Sequence, residues 1–358
     1  MSYATKVVMN TEIERLAQPQ VNFHELTDAA LQALDSRSRD IIVRRFGLGK
    51  DDKETLESIG KEYGITRERV RQIEANAKKE LTAMKDLFIS IEKLLLNMFQ
   101  EHGGLLSEDH AVSIVQDTAN ADVSPHTMHF YLTILPQFSE GVANNLLETH
   151  WKNEESLHDK IESIVLTAMD VLKEKNAPMT LTDLVNAVEQ KLNGTVTHPH
   201  IHAALTASKH ISPTAFGDWG LIGWAETSPR GVGDKAFAVL RRRGNPAHFR
   251  EITSMINDAK FDHKKANPQT VHNELIKDGR FVLVGRGLYG LKEWGYVPGT
   301  VADVLESILK KAEKPMSKQE LVDEVLKQRI VKKNTILLSL QNTKRFAQEG
   351  KDLYTIKK

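Results

Sequence analysis

The sequence predicts a mainly α-helical protein. A four-helix domain with a helix-turn-helix precedes tandem winged-helix domains, each of three helices plus a β-hairpin. Two observations predict this fold class. Apolar residues recur at helical spacing around a glycine turn in residues 55–81, and a unit of about 65–75 residues repeats after residue 88. The expected ranges are an N-terminal tail at 1–22, the helix-turn-helix domain at 23–88, a degenerate winged-helix-like repeat at 89–151, and three further repeats at 158–227, 231–296 and 299–358.

The stretch 55–81 carries the signals of two short helices joined by a tight turn. Thr55 and Thr66 are good N-cap residues, and Gly64 between them can take the left-handed conformation that ends a helix. The apolar residues of the first helix are Leu56, Ile59 and Tyr63, and those of the second are Val70, Ile73 and Ala77. This pattern is typical of a helix-turn-helix, whose second helix enters the major groove of DNA.

Two more helices are expected before this motif. Residues 23–34 have helical apolar spacing, and Ser36 is the expected cap of a helix that runs from Arg37 to Phe46. The tail before them is weakly patterned, and Pro19 interrupts it.

Residues 26–81, with LDSRSRDIIVRRFGLGK and ITRERVRQIEANAKKEL, resemble region 4 of the primary, sigma-70 type bacterial sigma factors. The resemblance, carried by about residues 23–88, implies a double-stranded promoter with a −35-like element as one partner. It implies the β-subunit flap of core RNA polymerase as another. It also implies that Arg67, Glu68, Arg71 and Gln72 contact base edges, and that Arg69 and Thr55 contact the DNA backbone.

The chemistry of these side chains agrees with such a role. Arginine can donate to guanine or to phosphates, glutamine can pair with adenine, and glutamate can accept from cytosine. The alternative is an ordinary two-helix corner with a solvated face, on which Glu68 pairs with Arg71 or Gln72 within the helix.

The repeats are recognised from prolines and aromatic residues at matching places. Pro178, Pro246 and Pro315 stand in the turns between the first two helices, 68 and 69 residues apart. Pro125, Pro199 and Pro268 suit the first turn of a third helix. The closing hairpins are expected to start at Phe138, Phe216, Phe281 and Phe346.

Residues 233–296, with AFAVLRRRGNPAHFREITSMI and GRFVLVGRGLYGLKEWGY, resemble the HARE-HTH family of winged helices. That family includes the N-terminal domain of the RNA polymerase delta subunit, as well as domains of chromatin and restriction proteins. The resemblance implies association with nucleic acid or with a transcription complex, and it leaves open which of the two.

The net charge of zero hides an uneven distribution. Residues 89–150 contain one Lys or Arg against eight Asp and Glu, whereas residues 230–295 contain 13 against 7 and residues 296–358 contain 13 against 8. A basic module attracts phosphate. The candidate phosphate contacts in the third repeat are Arg241, Arg242, Arg243, Lys264, Lys265 and the wing residue Arg286, and Lys332 and Lys333 are similar in the fourth. The alternative for the arginine run is cations that complement the end of a helix dipole.

Other function classes find no support. The chain has no cysteine, no phosphate-binding loop and no catalytic motif of the kinds HExxH or GxSxG, so we expect no enzyme and no cofactor. The pairs His198/His202 and His126/His129 have spacings that could hold a metal, but no cysteine or carboxylate pattern accompanies them, so no metal is expected. Without an apolar run of 18 residues or a signal-peptide core, a cytoplasmic protein is expected.

The main interpretation is therefore a sigma-70-related, DNA-binding transcription factor that acts in transcription initiation. No segment resembles the aromatic-rich helix that melts a −10 element, so a regulator, co-sigma or competitor is expected rather than an independent initiator. The alternative is an interaction protein like the delta subunit, without sequence-specific reading of DNA. A reader of modified DNA or chromatin is a weaker third possibility.

Overall fold

The computed structural model describes residues 21–50, 52–119, 121–154, 156–350 and 352–357, so the predicted tail lies almost wholly outside the described residues. The described part is mainly helical, with small sheets of two or three strands, as the sequence predicted. The chain divides into two compact units between Ser212 and Pro213. None of the described helices is long and apolar enough to cross a bilayer.

Four helices form the helix-turn-helix region, and their bounds are α1 Phe23–Gln32, α2 Ser36–Phe46, α3 Leu56–Tyr63 and α4 Arg67–Ala83. One predicted cap was wrong. Asp35, not Ser36, caps α2, because its carboxylate accepts hydrogen bonds from the backbone N–H groups of Arg37 and Ser38 at 2.9 and 3.1 Å. Gly47, at φ 70°, ends the same helix.

The next elements are α5 Lys85–Glu101, β1 Leu105–Leu106, α6 Glu108–Ala119, α7 Pro125–Ile134, β2 Phe138–Gly141 and β3 His150–Asn153. The strands form an antiparallel sheet in the order β1-β3-β2. One apolar cluster joins these elements to the helix-turn-helix region, because it contains Phe23, Phe46 and Leu81 together with Phe88, Tyr131 and Trp151. The predicted boundary between residues 88 and 89 therefore falls inside α5 and inside a shared core.

The second repeat supplies α8 His158–Lys175, α9 Leu181–Lys191, α10 His198–Ala207, β4 Ile211–Pro213 and β5 Trp219–Leu221. The predicted strand start at Phe216 was wrong. Phe216 lies in the turn between β4 and β5, next to Gly217 at φ 84°. The other three predicted starts, Phe138, Phe281 and Phe346, are the first residues of strands.

The last two repeats have parallel plans. The third contains α11 Val232–Arg243, β6 Ala247–His248, α12 Phe249–Asp258, α13 Pro268–Lys277, β7 Phe281–Gly285, β8 Leu288–Leu291 and a 3-10 turn, Lys292–Trp294. The fourth contains α14 Val301–Ala312, β9 Met316–Ser317, α15 Lys318–Gln328, α16 Lys333–Leu340, β10 Phe346–Glu349 and β11 Leu353–Ile356. The sheet orders are β6-β8-β7 and β10-β11-β9.

Each of these two sheets has a strand more than the predicted hairpin. The additional strands, β6 and β9, are two residues long, which is too short to show the alternation by which a strand is recognised in a sequence. Each repeat has its own apolar cluster, one around Leu240, Ile252 and Tyr289 and the other around Leu305, Leu321 and Phe346.

Candidate nucleic-acid interface

The turn before α4 is fixed by local hydrogen bonds and by a close backbone approach. Thr55 accepts a hydrogen bond from the backbone N–H of Ser58 at 3.1 Å, and Thr66 accepts one from that of Arg69 at 3.2 Å. Gly64 ends α3 at φ 65°. A Cβ on Gly60 would lie 2.8 Å from the carbonyl oxygen of Ile65, so the turn leaves no room for a side chain there. These features confirm the helix-turn-helix predicted from local sequence.

A small apolar cluster sets the rotation of α4, which we call the reading helix. Ile41, Ile59 and Val70 are fully buried together, one from each of α2, α3 and α4. Burying an aliphatic side chain of this size stabilises a fold by about 1.5–3 kcal/mol. With Val70 turned inward, the opposite side of the reading helix faces away from the domain.

Two arginines of α2 hold the motif from behind. Arg44 is buried and makes ion pairs with Glu54 at the loop before α3, with Glu62 on α3 and with Asp40. The hydrogen bonds from Glu54 and Glu62 raise the pKa of Arg44 above its ordinary value. Arg45 donates to Glu74 of the reading helix at 3.2 Å. The sequence analysis did not single out either arginine, because most of their partners lie 10 to 29 positions away and leave no local pattern.

The predicted reading residues lie on one exposed surface of the helix-turn-helix. Arg67, Glu68, Arg69, Arg71 and Gln72 are all exposed in the first two turns of the reading helix, and Thr55 is exposed at the start of α3. Spacings of one, three and four residues place such side chains on neighbouring positions of a helix. The geometry thus presents donors and acceptors of the kinds that read base edges.

In the protein without DNA these side chains are paired with one another. Arg71 donates to both carboxylate oxygens of Glu68, at 2.8 and 2.7 Å, and Arg69 donates to Gln72 at 3.2 Å. The hydrogen bond from Arg71 lowers the pKa of Glu68, and the same bond raises the pKa of Arg71. The pairing within the helix that the alternative interpretation foresaw is therefore present. Exposed pairs of this kind contribute little to stability, so DNA can displace them.

The arginine run of the third repeat does not form an open cationic patch. Arg241 makes ion pairs with Glu226 and Glu293, at 2.5 and 3.3 Å. Arg242 pairs with Asp218, and Arg243 pairs with Glu251 at 2.6 Å. Each guanidinium group is thus occupied by a carboxylate, as expected for cations that hold a fold together, and little positive charge is left for phosphate.

Three other predicted contacts are exposed. Lys264 and Lys265 lie in the loop before α13, and the backbone N–H of Lys264 donates to Asp262 at 3.1 Å. Arg286 lies in the turn between β7 and β8, followed by Gly287 at φ 70°. A Cβ on Gly287 would lie 2.6 Å from the ring of His248, so glycine is required at that point of the wing.

The structure brings together histidines that the sequence analysis did not connect. The ring of His110 lies 4.3 Å from that of His202 and 5.6 Å from that of His102, between ring centres. Burial, followed by the neighbouring His202 and His102, lowers the pKa of His110 to about 3. Among the described residues, no three His, Asp or Glu side chains are grouped so that they could hold a metal ion.

Comparison with known families matches two parts of the chain. Residues 30–82 match the family model for sigma-70, region 4. Residues 232–294 match the HARE-HTH model, which describes a helix-turn-helix domain of ASXL and restriction endonuclease proteins. Both resemblances found in the sequence are confirmed, and both families associate the chain with transcription and DNA binding.

Individual relatives resemble the first of these parts. The RNA polymerase sigma factor RpoS of Coxiella burnetii is 43% identical over 72 residues, which is 20% of this chain and 20% of RpoS. The sigma factor RpoD of Helicobacter pylori is 51% identical over 55 residues, 15% of this chain and 8% of RpoD. SigA of Lactococcus lactis subsp. cremoris is 40% identical over 62 residues, 17% of each chain. The match spans a fifth or less of each relative, so it supports a sigma-like DNA-binding domain and not the activity of a whole sigma factor.

Proposed function

We propose that this protein is a cytoplasmic, non-enzymatic transcription factor that reads a −35-like promoter element through the reading helix and acts with bacterial RNA polymerase in transcription initiation. The observation that carries the proposal is the exposed surface formed by Arg67, Glu68, Arg71 and Gln72 on a helix whose rotation is fixed from behind. The similarity of residues 30–82 to sigma-70 region 4 supports the choice of a −35-like element.

The surface for polymerase has to lie away from the apolar side of the helix-turn-helix region. That side is covered by α7 of the same chain, where Phe130 packs on Phe46 and Tyr131 packs on Phe23, with ring centres 5.3 and 5.5 Å apart. Tyr131 also shares a 2.9 Å hydrogen bond with Thr27. A contact with the flap of the β subunit therefore uses exposed residues of the region, since a partner helix would have to displace fully buried aromatic side chains.

The second candidate is a polymerase-associated interaction protein that does not read DNA sequence. The observation that favours it is the pairing of Arg71 with Glu68 and of Arg69 with Gln72, which satisfies the reading groups without DNA. The HARE-HTH match in the third repeat also fits this candidate.

Titration of the full-length chain with two duplexes separates the candidates. One duplex carries a TTGACA-type hexamer, and the other has the same composition with the hexamer scrambled. We expect the wild-type chain to prefer the hexamer, and Arg71→Ala or Gln72→Ala to reduce that preference by roughly 5- to 150-fold for each base pairing removed. The matched control is Lys79→Ala, a change of an exposed residue further along the same helix, which should lower the affinity for both duplexes alike.

Equal binding of both duplexes by the wild-type chain and both variants would contradict the proposal. If core RNA polymerase still co-purified with the chain in that case, the second candidate would be favoured.

A further inference from the structure

Within the C-terminal unit, Arg329 joins the third repeat to the fourth. Its side chain, at the end of α15, is only 4% exposed. The guanidinium group donates to the backbone carbonyl of Leu283 on β7 and to those of Val297 and Gly299, which lie between the repeats. A buried charge is costly unless it is well hydrogen-bonded. These three carbonyls therefore hold Arg329, and with it the end of α15, against the third repeat.

The residues after Arg329 continue the contact along the wing of the third repeat. The backbone N–H of Ile330 donates to the carbonyl of Val284 at 2.9 Å. A Cβ on Gly285 would come within 2.7 Å of the carbonyl oxygen of Ile330, so the two backbones are in close contact. Strand β7 is thus packed against the segment that leads into α16.

This contact brings cations of two repeats to one place. Arg286, in the turn of the wing, is two residues after Val284, and Lys332 and Lys333, at the start of α16, are two and three residues after Ile330. All three side chains are exposed. Among the described residues, neither Arg286 nor Lys332 has an ion-pair partner, and Lys333 donates to the neutral amide of Gln319 at 3.0 Å.

The surroundings on the fourth repeat carry no opposing charge in sequence. Residues 325–348 contain six Lys and Arg and no Asp or Glu. On α16 itself the exposed residues after the lysines include the polar pair Asn334 and Thr335. This differs from the arginine run of α11, where each guanidinium group is occupied by a carboxylate.

We propose that Arg286, Lys332 and Lys333 form one composite site for the phosphate backbone of double-stranded DNA, built from the wing of the third repeat and the first turn of α16. Arg329 acts as a positioning residue that keeps the two halves together. The site goes beyond the proposed reading of a promoter element, because phosphate contacts bind DNA of any sequence and fix its placement on the protein.

The test uses the full-length chain and a duplex without the hexamer, titrated at several salt concentrations. The variant is Arg286→Ala/Lys332→Ala/Lys333→Ala, and the matched control is Lys310→Ala/Lys311→Ala/Lys314→Ala, which removes the same charge from another part of the fourth repeat. Each phosphate contact contributes about 0.9 to the slope of log affinity against log salt. We expect the first variant to lower that slope by up to about 2.7 and the control to leave it nearly unchanged.

Equal losses in the two triple variants would overturn the composite site, because they would show only a general effect of charge. Unchanged DNA binding with loss of core RNA polymerase from the first variant would also overturn it, in favour of an acidic protein partner. The outcome is independent of the proposed promoter reading, since the hexamer preference is measured with Arg71→Ala and Gln72→Ala.

Discussion

The third helices of the four repeats have the same register but different surroundings. Each has a buried apolar pair four residues apart, and these pairs are Met128/Leu132, Ile201/Leu205, Val271/Leu275 and Ile336/Leu340. The residue two positions after the first member differs in exposure. Phe130 and Ala203 are fully buried at this position, whereas Asn273 is exposed and Leu338 is 66% exposed.

The difference separates two uses of one repeat. In the N-terminal unit, α7 packs on the helix-turn-helix region and α10 packs on β1, so both outward faces are consumed by the protein's own core. In the C-terminal unit, α13 and α16 keep the same face open to solvent. The third helix of a winged-helix repeat thus serves as a support in the first unit and as an available surface in the second.

Replacing the residue of the first repeat by that of the third tests this comparison most severely. Phe130→Asn should destabilise the N-terminal unit by about 3–5 kcal/mol, since it removes a buried ring and leaves an amide in its place. Hydrogen exchange of the backbone in α7 and in the reading helix would measure the loss. Protection of α7 at the wild-type level would show that the ring is not a support.

Acid should loosen the N-terminal unit at α10, because His110 shares a 3.0 Å hydrogen bond with Thr206 and packs on His202 there. Unfolded histidine binds a proton below pH 6.5, whereas the pKa of folded His110 is lowered to about 3. The stability is therefore fully present above pH 6.5 and falls as the pH drops towards 3, by at most about 1.4 kcal/mol per pH unit.

Urea denaturation of the wild-type chain and of His110→Gln between pH 7 and pH 4.5 measures this effect, and the exposed His198→Gln is the control. The gap between wild type and His110→Gln should narrow as the pH falls. A constant gap would mean that His110 protonates in the folded protein as it does in the unfolded chain.

The smallest effect is expected at the equivalent position of the fourth repeat. Leu338→Asn should change the free energy of unfolding by no more than about 0.5 kcal/mol, because the side chain is 66% exposed. Urea denaturation of the full-length chain would detect a larger loss, and such a loss would remove the distinction between the two units.

Local features were predictable, and long-range partners were not. Thr55, Gly64 and Thr66 act through residues three or four positions away, so their roles in the turn follow from spacing alone. Asp35 and Ser36 are both good N-cap residues, and only the hydrogen bonds distinguish them. The run Arg241–Arg243 suggested a phosphate patch, because the carboxylates that occupy it lie up to 24 positions away.

The site residues show the same limit. The exposed face of the reading helix follows from the positions of Val70 and Ala77, which must point inward. Arg329 had no signal in the sequence, because its three acceptors are backbone carbonyls about 30 to 46 positions away and any residue could provide them.

The sequence by itself determined the helices, their turns, the repeats and the reading face, since hydrophobic periodicity and capping act over a few residues. Only the tertiary structure decided which third helices are covered. The surfaces that cover them come from distant parts of the chain, as when Phe46 meets Phe130 and Phe23 meets Tyr131. The pattern within a helix tells that a face is apolar or polar, but a partner for that face is supplied only by the packing of the whole unit.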